Sequence, residues 1–444
     1  MKSKSVTPAR LAAFEILLRV EAGAYASVLL ATSEERLVQS DRALCHELVM
    51  GVLRRQLWLD RLIEQYSNRK IAELDVAVRL VLRIGLYQLR FLSRIPASAV
   101  VNESVNLVHF ARLRSAGALV NAVLRRATRE PSLDPSIHIQ DSVERMAVAT
   151  SHPCWLIERW IAAFGSEEAK AFAQANNEAA PVAFRVVTHQ AKSSEVIERL
   201  RGVGGLVFPS AITEGAYRVS GAGGLLTELA TEGGIYLQDE ASQLVAQVME
   251  PRRGDRILDL CAAPGSKTTH MADLTDDAAV IVASDVHGHR LRTVRETANL
   301  HGFKSIHCVK LDGLRTLPLL ERSFERVLVD APCSGTGTLR RNPEIRWRIS
   351  TDDIEDLSGR QKKLLFNASR AVKPGGRLVY STCSVEREEN EEVTQEFLEN
   401  NGDFNLVYLR LPDGVLVKPG LVRTWPHRHG TDGFFMCAFE RKPD

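Results

Sequence analysis

Apolar residues recur with helical spacing through the first third of the chain. In the segment TPARLAAFEILLRVEAG, Thr7 is placed to cap a helix, Pro8 suits its first turn, and Leu11, Phe14 and Leu18 share one face. Similar spacing predicts further helices, and residues 1–137 are therefore predicted to form an all-α domain. The predicted helices are 41–66, 71–92, 101–112 and 117–129.

The pattern changes after the segment REPSLDPSI at 129–137, whose prolines and acidic residues are typical of a linker. Two helical runs, PCWLIERWIAAFG and SEEAKAFAQANN, are followed by the strand-like PVAFRVV and the helical SSEVIERL. Short glycine-rich strands then lead to residue 235. This mixture predicts a small α+β middle domain over residues 138–235.

From Gly254 onward, apolar runs of strand length alternate with amphipathic helical segments. The strand-like runs are RILDL, AVIVASD, SIHCVK, ERVLVDAP and GRLVYSTCS, and helices are predicted at about 287–301, 359–372 and 387–400. Such alternation indicates a mostly parallel sheet covered on both faces. Residues 236–444 are therefore predicted to form a Rossmann-like α/β domain, which binds ligands beyond the carboxyl ends of its strands.

Composition limits the class of protein. The 444 residues, 45% hydrophobic and 25% charged, are enough for a large core and more than one domain. The seven cysteines form neither a CxxC pair nor a Cys/His cluster, which indicates a reducing cytoplasm and no structural metal. Charges at Arg10, Glu15 and Arg19 interrupt the first apolar stretch, so we expect no signal peptide, no membrane span and no membrane partner.

Positive charge is concentrated near the N-terminus. The first 140 residues contain 20 Lys and Arg against 13 Asp and Glu, whereas the remaining 304 contain 37 against 42. This asymmetry favours an N-terminal region that binds a polyanion. On charge alone, an arginine-rich helical surface without a partner is an equal alternative.

A loop of small residues, CAAPGSK, follows the strand RILDL and opens a helix. Its glycine and alanines allow the backbone to approach a nucleotide closely. A tight strand-to-helix turn without a ligand is the alternative for this loop alone. The candidate cofactor-binding residues in it are Cys261, Ala262, Ala263, Pro264, Gly265, Ser266 and Lys267.

Acidic residues follow the next strands at the same predicted rim. Asp285 lies about twenty residues beyond the loop, where an acid can bind the ribose hydroxyls of an adenosine cofactor. Asp312 and Asp330 follow the next two strands. Each alone could be a turn or cap residue, but together they predict a cofactor site.

The tip after the fourth strand reads Asp330-Ala331-Pro332-Cys333. Many adenosyl-methionine enzymes that methylate exocyclic nitrogens carry Asn/Asp-Pro-Pro and an aromatic there, so the substrate atom is predicted not to be a nitrogen. Carbon 5 of a pyrimidine becomes nucleophilic when a thiolate adds to carbon 6. Cys333 and Cys383, each after a strand, could supply that chemistry, and Asp330 could stabilise charge developing at ring N3.

Four motifs in this order resemble those of the RNA cytosine-5 methyltransferases of the Sun family: DLCAAPGSKT, DAPCSGTGTLRRNPEIRW, YSTCSVEREENE and PHRHGTDGFF. The resemblance extends over the whole chain. It implies that Cys383 is the nucleophile and that Cys333 assists proton removal or release. It also implies that 261–267, Asp285, Asp312 and Asp330 line the cofactor and base site.

The resemblance further implies an activity and a partner. The expected reaction is S-adenosyl-L-methionine-dependent methylation of carbon 5 of a specific cytosine in 16S ribosomal RNA through a covalent cysteine adduct. The expected partner is 16S ribosomal RNA, free or in early assembly intermediates, and the expected protein is a cytoplasmic monomer without a metal. A transfer-RNA cytosine-5 methyltransferase and a non-catalytic RNA-binding assembly factor remain alternatives.

Two segments qualify this resemblance. Relatives carry Gly-Gly-Lys in the first loop, where this chain has Gly265, Ser266 and Lys267. The N-terminal helices resemble the NusB fold through LVNAVLRR at 119–126, which implies either an RNA-binding domain or a packing scaffold.

The segment LRRNPEIRWR at 339–348 combines four arginines with Trp347. This combination is typical of a segment that grips phosphates and stacks on bases. An ordinary basic loop packed by its tryptophan is equally compatible with the pattern.

Overall fold

The computed structural model describes residues 6–33, 37–412 and 414–443. The chain divides into two compact units: Met1–Ala179 with Leu339–Arg348, and Ala180–Thr338 with Ile349–Asp444. The predicted middle domain, 138–235, is therefore shared between the two units. Its first helices belong to the helical unit, and its sheet belongs to the second unit.

The first unit is all-helical, as the apolar spacing predicted. One core unites its N-terminal helices and includes Phe14, Leu48, Leu62, Val81 and Leu124. Its helices are α1 (Pro8–Glu21), α2 (Ala26–Ser33), α3 (Gln39–Arg54), α4 (Gln56–Ser67), α5 (Val76–Phe91), α6 (Ala97–Phe110), α7 (Gly117–Arg129), α8 (Ser142–Thr150), α9 (Cys154–Phe164) and α10 (Ser166–Ala175).

The single helix predicted at 41–66 is wrong, because the structure has two helices there. Arg55, with φ −110° and ψ 16°, ends α3 and precedes α4. Both helices turn their apolar side chains to the same core, so the apolar spacing continues across the break and does not reveal it.

Residues 339–348 pack within the helical unit. The Arg346 side chain is 0% exposed and donates hydrogen bonds to the carbonyl oxygen of Ser151 at 3.0 Å and to Oδ1 of Asn177 at 2.9 Å. Arg348 donates to the carbonyl oxygen of Val20 at 2.7 Å. These arginines bind protein oxygens, so the phosphate-gripping interpretation of this segment is wrong for Arg346 and the packed alternative holds.

The second unit contains a small antiparallel sheet with the strand order β2-β3-β1-β4. Helices α11 (Ser193–Gly202) and α12 (Gly223–Thr231) contribute to the core on one face, which includes Phe184, Val196 and Leu226. The strands are β1 (Val182–Val186), β2 (Leu206–Pro209), β3 (Ala216–Ser220) and β4 (Ile235–Leu237).

A larger mixed sheet of nine strands positions the candidate site. Five central strands are parallel in the order β9-β8-β5-β6-β7, and antiparallel strands β10 to β13 extend the β9 side. The strands are β5 (Arg256–Asp259), β6 (Val280–Asp285), β7 (Ile306–Lys310), β8 (Phe324–Asp330), β9 (Val372–Thr382), β10 (Phe404–Leu406), β11 (Leu416–Lys418), β12 (Leu421–Arg423) and β13 (Phe435–Arg441).

Apolar clusters on both faces of this sheet bury its strands, as a Rossmann-like fold requires. Leu258 and Val327 contribute to one cluster, and Ile257 and Leu328 to the other. The helices of this region are α13 (Glu240–Met249), α14 (Ser266–Leu274), α15 (Gly288–Leu300), α16 (Thr351–Ser369), α17 (Glu391–Asn400) and α18 (Pro426–His429).

Among the residues that the structure describes, no helix combines the length and the apolar character needed to cross a membrane.

Candidate active site

The two cysteines of the motifs meet at the carboxyl ends of neighbouring parallel strands. Asp330 at the end of β8 is paired with Ser381 near the end of β9, so the loops that follow start side by side. The Sγ atoms of Cys333 and Cys383 lie 3.2 Å apart. The backbone N–H of Cys383 donates to Sγ of Cys333 at 3.3 Å.

The acidity of the Cys333 thiol is perturbed by its surroundings. A hydrogen bond with Cys383 and then burial raise the pKa of Cys333 well above its ordinary value. At neutral pH Cys333 therefore stays protonated and can donate its S–H to the sulfur of Cys383.

A buried carboxylate holds both cysteine loops together. Glu389 is 0% exposed, and its Oε1 accepts from the backbone N–H of Ser334 at 2.8 Å and from Nε2 of Gln361 at 3.0 Å. Its Oε2 accepts from the hydroxyls of Ser334 and Ser384. Because Ser334 and Ser384 each follow a cysteine directly, Glu389 fixes the separation of the two thiols.

Sequence reasoning did not single out Glu389. It lies in the run VEREENE, where four glutamates occur within six positions. Nothing in that run distinguishes Glu389, which bonds to both cysteine loops, from the other three glutamates.

The side chain of Lys267, at the end of the predicted cofactor loop, contacts the strand end that precedes Cys333. Its Nζ donates to Oδ2 of Asp330 at 2.6 Å, and the hydroxyl of Ser381 donates to Oδ1 of the same carboxylate at 2.7 Å. Burial alone would lower the pKa of Lys267, but the charges of Asp330 and of nearby Cys383 outweigh burial and raise it. A permanent ammonium therefore lies next to the Cys383 thiol.

Asp259 is a second site residue that the sequence did not reveal. It ends β5, is 1% exposed, and accepts from the Thr268 hydroxyl at 2.7 Å through Oδ2. Its Oδ1 is buried without a hydrogen-bond partner among the described residues. Burial, reinforced by the charge of Asp330, raises the pKa of Asp259 to about 7.

The loop 261–265 connects β5 to α14 as the sequence predicted. Gly265 has φ +105°, and a Cβ there would lie 3.1 Å from Cα of Val294 on α15. Only glycine combines that left-handed backbone with the close packing of two helices. Ser266 begins α14, so the serine that replaces the usual glycine occupies an ordinary helical position.

The two remaining candidate carboxylates follow neighbouring strands. Oδ1 of Asp285 accepts from the backbone N–H of His287 at 2.8 Å, and Oδ1 of Asp312 accepts from that of Leu314 at 3.0 Å. A carboxylate has about four acceptor positions, so each retains acceptors for hydroxyl or amino groups. These carboxylate acceptors fit the ribose hydroxyls and amino groups of adenosyl-methionine.

Comparison with known proteins identifies the family of each domain. The family profile described as 16S rRNA methyltransferase RsmB/F matches residues 246–440. The NusB family profile matches 7–129, and a ferredoxin-like domain of RsmF/B-like methyltransferases matches 152–223. The predicted likeness to NusB is thereby confirmed, and three of the four strands of the small sheet lie within a domain of known type.

Full-length relatives and solved structures cover the chain. The probable ribosomal RNA small subunit methyltransferase B of Bacillus subtilis (strain 168) is 34% identical over 453 residues, covering 100% of both chains. The ribosomal RNA small subunit methyltransferase B of Erwinia tasmaniensis is 34% identical and covers 95% of this chain and 96% of its own. The crystal structure of PH0851 has a TM-score of 0.85 at 29% identity, covering 98% of this chain and 99% of that one.

Fold, site and relatives together define an S-adenosyl-L-methionine-dependent methyltransferase that acts on ribosomal RNA. Within that class, the chain belongs to the ribosomal RNA small subunit methyltransferase B family.

Proposed function

We propose that this protein methylates carbon 5 of one cytosine in 16S ribosomal RNA through a covalent bond between Cys383 and carbon 6. The observation that carries the proposal is the pair of thiols 3.2 Å apart, next to the buried Lys267–Asp330 ion pair. Methylation of a ring nitrogen or a ribose oxygen has no use for two cysteines at one site. Carbon 5 requires at least one.

Adenosyl-methionine, when bound by the loop 261–267, Asp285 and Asp312, supplies the methyl group. Asp285 is the candidate for the ribose hydroxyls, because its carboxylate ends β6 beside the loop. Asp312 follows β7, one strand further along the sheet, and is the candidate for an amino group.

Cys383 performs the attack. The Lys267 ammonium stabilises its thiolate electrostatically, and the S–H of Cys333 can hydrogen-bond to it. The thiolate forms a bond to carbon 6, and the electron pair of the ring double bond moves toward carbon 5. Lys267 donates to Asp330 at 2.6 Å, and a proton passed from this ammonium through Asp330 to ring N3 neutralises the negative charge that develops there. The same proton returns to Lys267 when the adduct breaks down.

Cys333 assists release. After methylation, carbon 5 loses its proton to water, the electron pair restores the ring double bond, and the bond from carbon 6 to Cys383 breaks. The departing sulfur carries the negative charge, and the S–H of Cys333 stabilises it by a hydrogen bond. Loss of Cys333 should therefore slow release more than attack.

The test separates the two cysteines. Cys383→Ser should form neither adduct nor methylated product, whereas Cys333→Ser should accumulate protein joined to 16S ribosomal RNA, seen as a slow band on denaturing gels with labelled RNA. Cys154→Ser, at an exposed thiol on α9, is the matched control and should behave like the unmodified protein. Methylation that persists in Cys383→Ser would overturn the covalent mechanism as assigned.

Bisulfite sequencing of total RNA from cells with and without the protein tests the substrate. A single methylated cytosine lost from 16S ribosomal RNA supports the proposal and an assignment to the bacterial cytoplasm. Loss from transfer RNA instead would favour the transfer-RNA alternative, and no loss at all would favour the non-catalytic assembly factor. A monomer remains our prediction for the oligomeric state.

A further inference from the structure

A groove in the helical unit lies outside the site described above. It has a volume of about 510 Å³ and is lined mainly by side chains of α8 and α10 and of the residues next to them. This volume falls in the range of ligand pockets. Three cations line it: Arg55, Arg145 and Lys170.

Of these three cations, Arg55 is the one that packs against an aromatic ring. Its guanidinium lies 5.4 Å from the ring centroid of Phe91, and burial lowers the pKa of its side chain. Within the described ranges, no ion pair joins Arg55 to a carboxylate. A half-buried cation without an acid partner is costly unless an anion binds beside it.

Further positive charge lies behind the groove. The buried Arg346 donates to Oδ1 of Asn177, and Asn177 itself lines the groove. Burial first, and then the charges of Arg54 and Arg55, lower the pKa of Arg346 to about 9. Glu344 opposes these charges but does not balance them. A positive potential is therefore built into this part of the unit.

The groove also offers groups that suit a base. Glu167, Glu178 and Gln174 line it and present acceptors for the N–H groups of a nucleobase. Two carboxylates make the groove a poor site for a bare phosphate. A nucleotide has an anionic phosphate, which suits the cations of the groove, and N–H donors on its base, which suit the acceptors.

We propose that this groove binds a single-stranded segment of the ribosomal RNA substrate, with phosphate at Arg55, Arg145 and Lys170 and a base edge at the glutamates. The inference rests on the proposed function, because it assumes an RNA substrate. It adds an RNA-binding site in the helical unit to the catalytic site of the second unit.

The first experiment compares two double variants by titration with a labelled single-stranded RNA of the substrate sequence. Arg55→Gln with Lys170→Gln should raise Kd about tenfold and lower the slope of log affinity against log salt by roughly 1.4, since each lost phosphate contact removes about 0.7. Arg69→Gln with Lys70→Gln, at exposed positions of the same unit, is the matched control. Equal affinity and slope in both pairs would overturn the proposal.

A second measurement needs no variant and so does not depend on folding. Chemical acetylation of the unmodified protein, read by mass spectrometry, should be slowed at Lys170 by bound RNA but not at Lys192, whose side chain is 81% exposed. Unchanged acetylation of Lys170 in saturating RNA would also overturn the proposal. Inorganic polyphosphate that displaced RNA equally at matched charge would do the same, because it would show a general anion site.

Failure of the groove assignment can be distinguished from failure of the proposed function. If the unmodified protein forms no adduct at Cys383 and yields no 5-methylcytosine, the proposed function fails, whatever the groove variants show. If adduct and product form normally while the groove variants bind RNA like their control, the groove assignment alone fails.

Discussion

Lys267 shows how one residue links the cofactor loop to the reacting thiol. It is buried, yet Asp330 and Cys383 keep it charged, and its Nζ also lies 5.2 Å from the ring centroid of Phe434. An ammonium held in place without free rotation has a larger effect on a neighbouring thiol than a solvated one. We therefore propose that Lys267, predicted from the sequence to bind the cofactor, also serves the nucleophile.

Lys267→Met should make Cys383 less reactive. Without the ammonium, the Cys383 thiolate loses a neighbouring positive charge, so alkylation of Cys383 by iodoacetamide should be slower by about tenfold or more. Peptide mass spectrometry of samples taken over time would measure the rate. Lys363→Met, at an exposed position on α16, should leave the rate unchanged; an equal loss of rate in both variants would show that Lys267 has no special role.

Asp259 makes the stability of the protein depend on pH. In the folded protein the Asp259 carboxyl retains its proton up to about pH 7, whereas an aspartate in the unfolded chain releases its proton near pH 4. The folded state therefore binds more protons between these values, and the free energy of unfolding falls as the pH rises, by roughly 4 kcal/mol in total.

Asp259→Asn, which keeps an acceptor for Thr268, should abolish this fall. We expect its Tm to exceed that of the unmodified protein at pH 8 and the difference to shrink toward pH 5, measured by calorimetry. Asp356→Asn, at an exposed ion pair on α16, should give a curve parallel to the unmodified one. Parallel curves for both variants would contradict the raised pKa of Asp259.

Among elements, the turn after Cys333 depends on close backbone contact. The N–H of Gly337 donates to the carbonyl oxygen of Cys383 at 2.9 Å, and that of Gly433 donates to the carbonyl oxygen of Gly337 at 2.8 Å. A Cβ at Gly337 would overlap the Gly433 carbonyl and lie 2.8 Å from that of Cys383. Three segments distant in sequence thus meet at one glycine.

Gly337→Ala should displace the loop and separate the thiols. Because the backbone cannot yield without breaking these hydrogen bonds, we expect adduct formation to fall by at least tenfold, together with a loss of roughly 1–3 kcal/mol in stability. Gly359→Ala, on α16 where a Cβ would meet nothing within 4 Å, is the control and should retain activity. Adduct yields measured on denaturing gels would decide, and equal yields would contradict this account.

The sequence predicted the strands and helices around the site, but it did not predict the buried hydrogen bonds between the loops that connect them. The loops that follow β5, β8 and β9 were predicted because apolar runs and small residues mark them. Glu389 and Asp259 were not, since burial of one carboxylate among several depends on contacts between distant segments. The break at Arg55 escaped for a related reason, because one core receives both helices.

For the whole molecule, the division into units cuts across the order of the chain. The methyltransferase motif that contains Cys333 runs on directly into Leu339–Arg348, which completes the helical unit. Arg346 and Arg348 there satisfy carbonyl oxygens of helices more than 150 residues earlier. Sequence analysis placed this segment in the catalytic domain, because local pattern does not show which unit a segment packs in.

Removing residues 1–179 should expose this segment. In the full chain, burial of Arg346 should protect the adjacent peptide bond from trypsin, whereas in a chain of residues 180–444 cleavage should appear first between residues 340 and 349. Limited proteolysis with mass spectrometry would locate the cuts. Cleavage at 252–256, where exposed arginines lie in both proteins, provides the internal reference. If residues 340–349 were equally protected in both proteins, the assignment of this segment to the helical unit would be contradicted.

The late position of Leu339–Arg348 in the chain also determines when the helical unit can finish folding during synthesis. The helices of the first unit end at residue 175, but Arg346 leaves the ribosome roughly 170 residues later. At 5–20 residues per second, that interval lasts about 10 to 30 s. During this interval the carbonyl oxygens of Ser151 and Asn176 lack the hydrogen bonds that Arg346 later donates. The helical unit, although synthesised first, is therefore among the last parts of the protein to complete its folding.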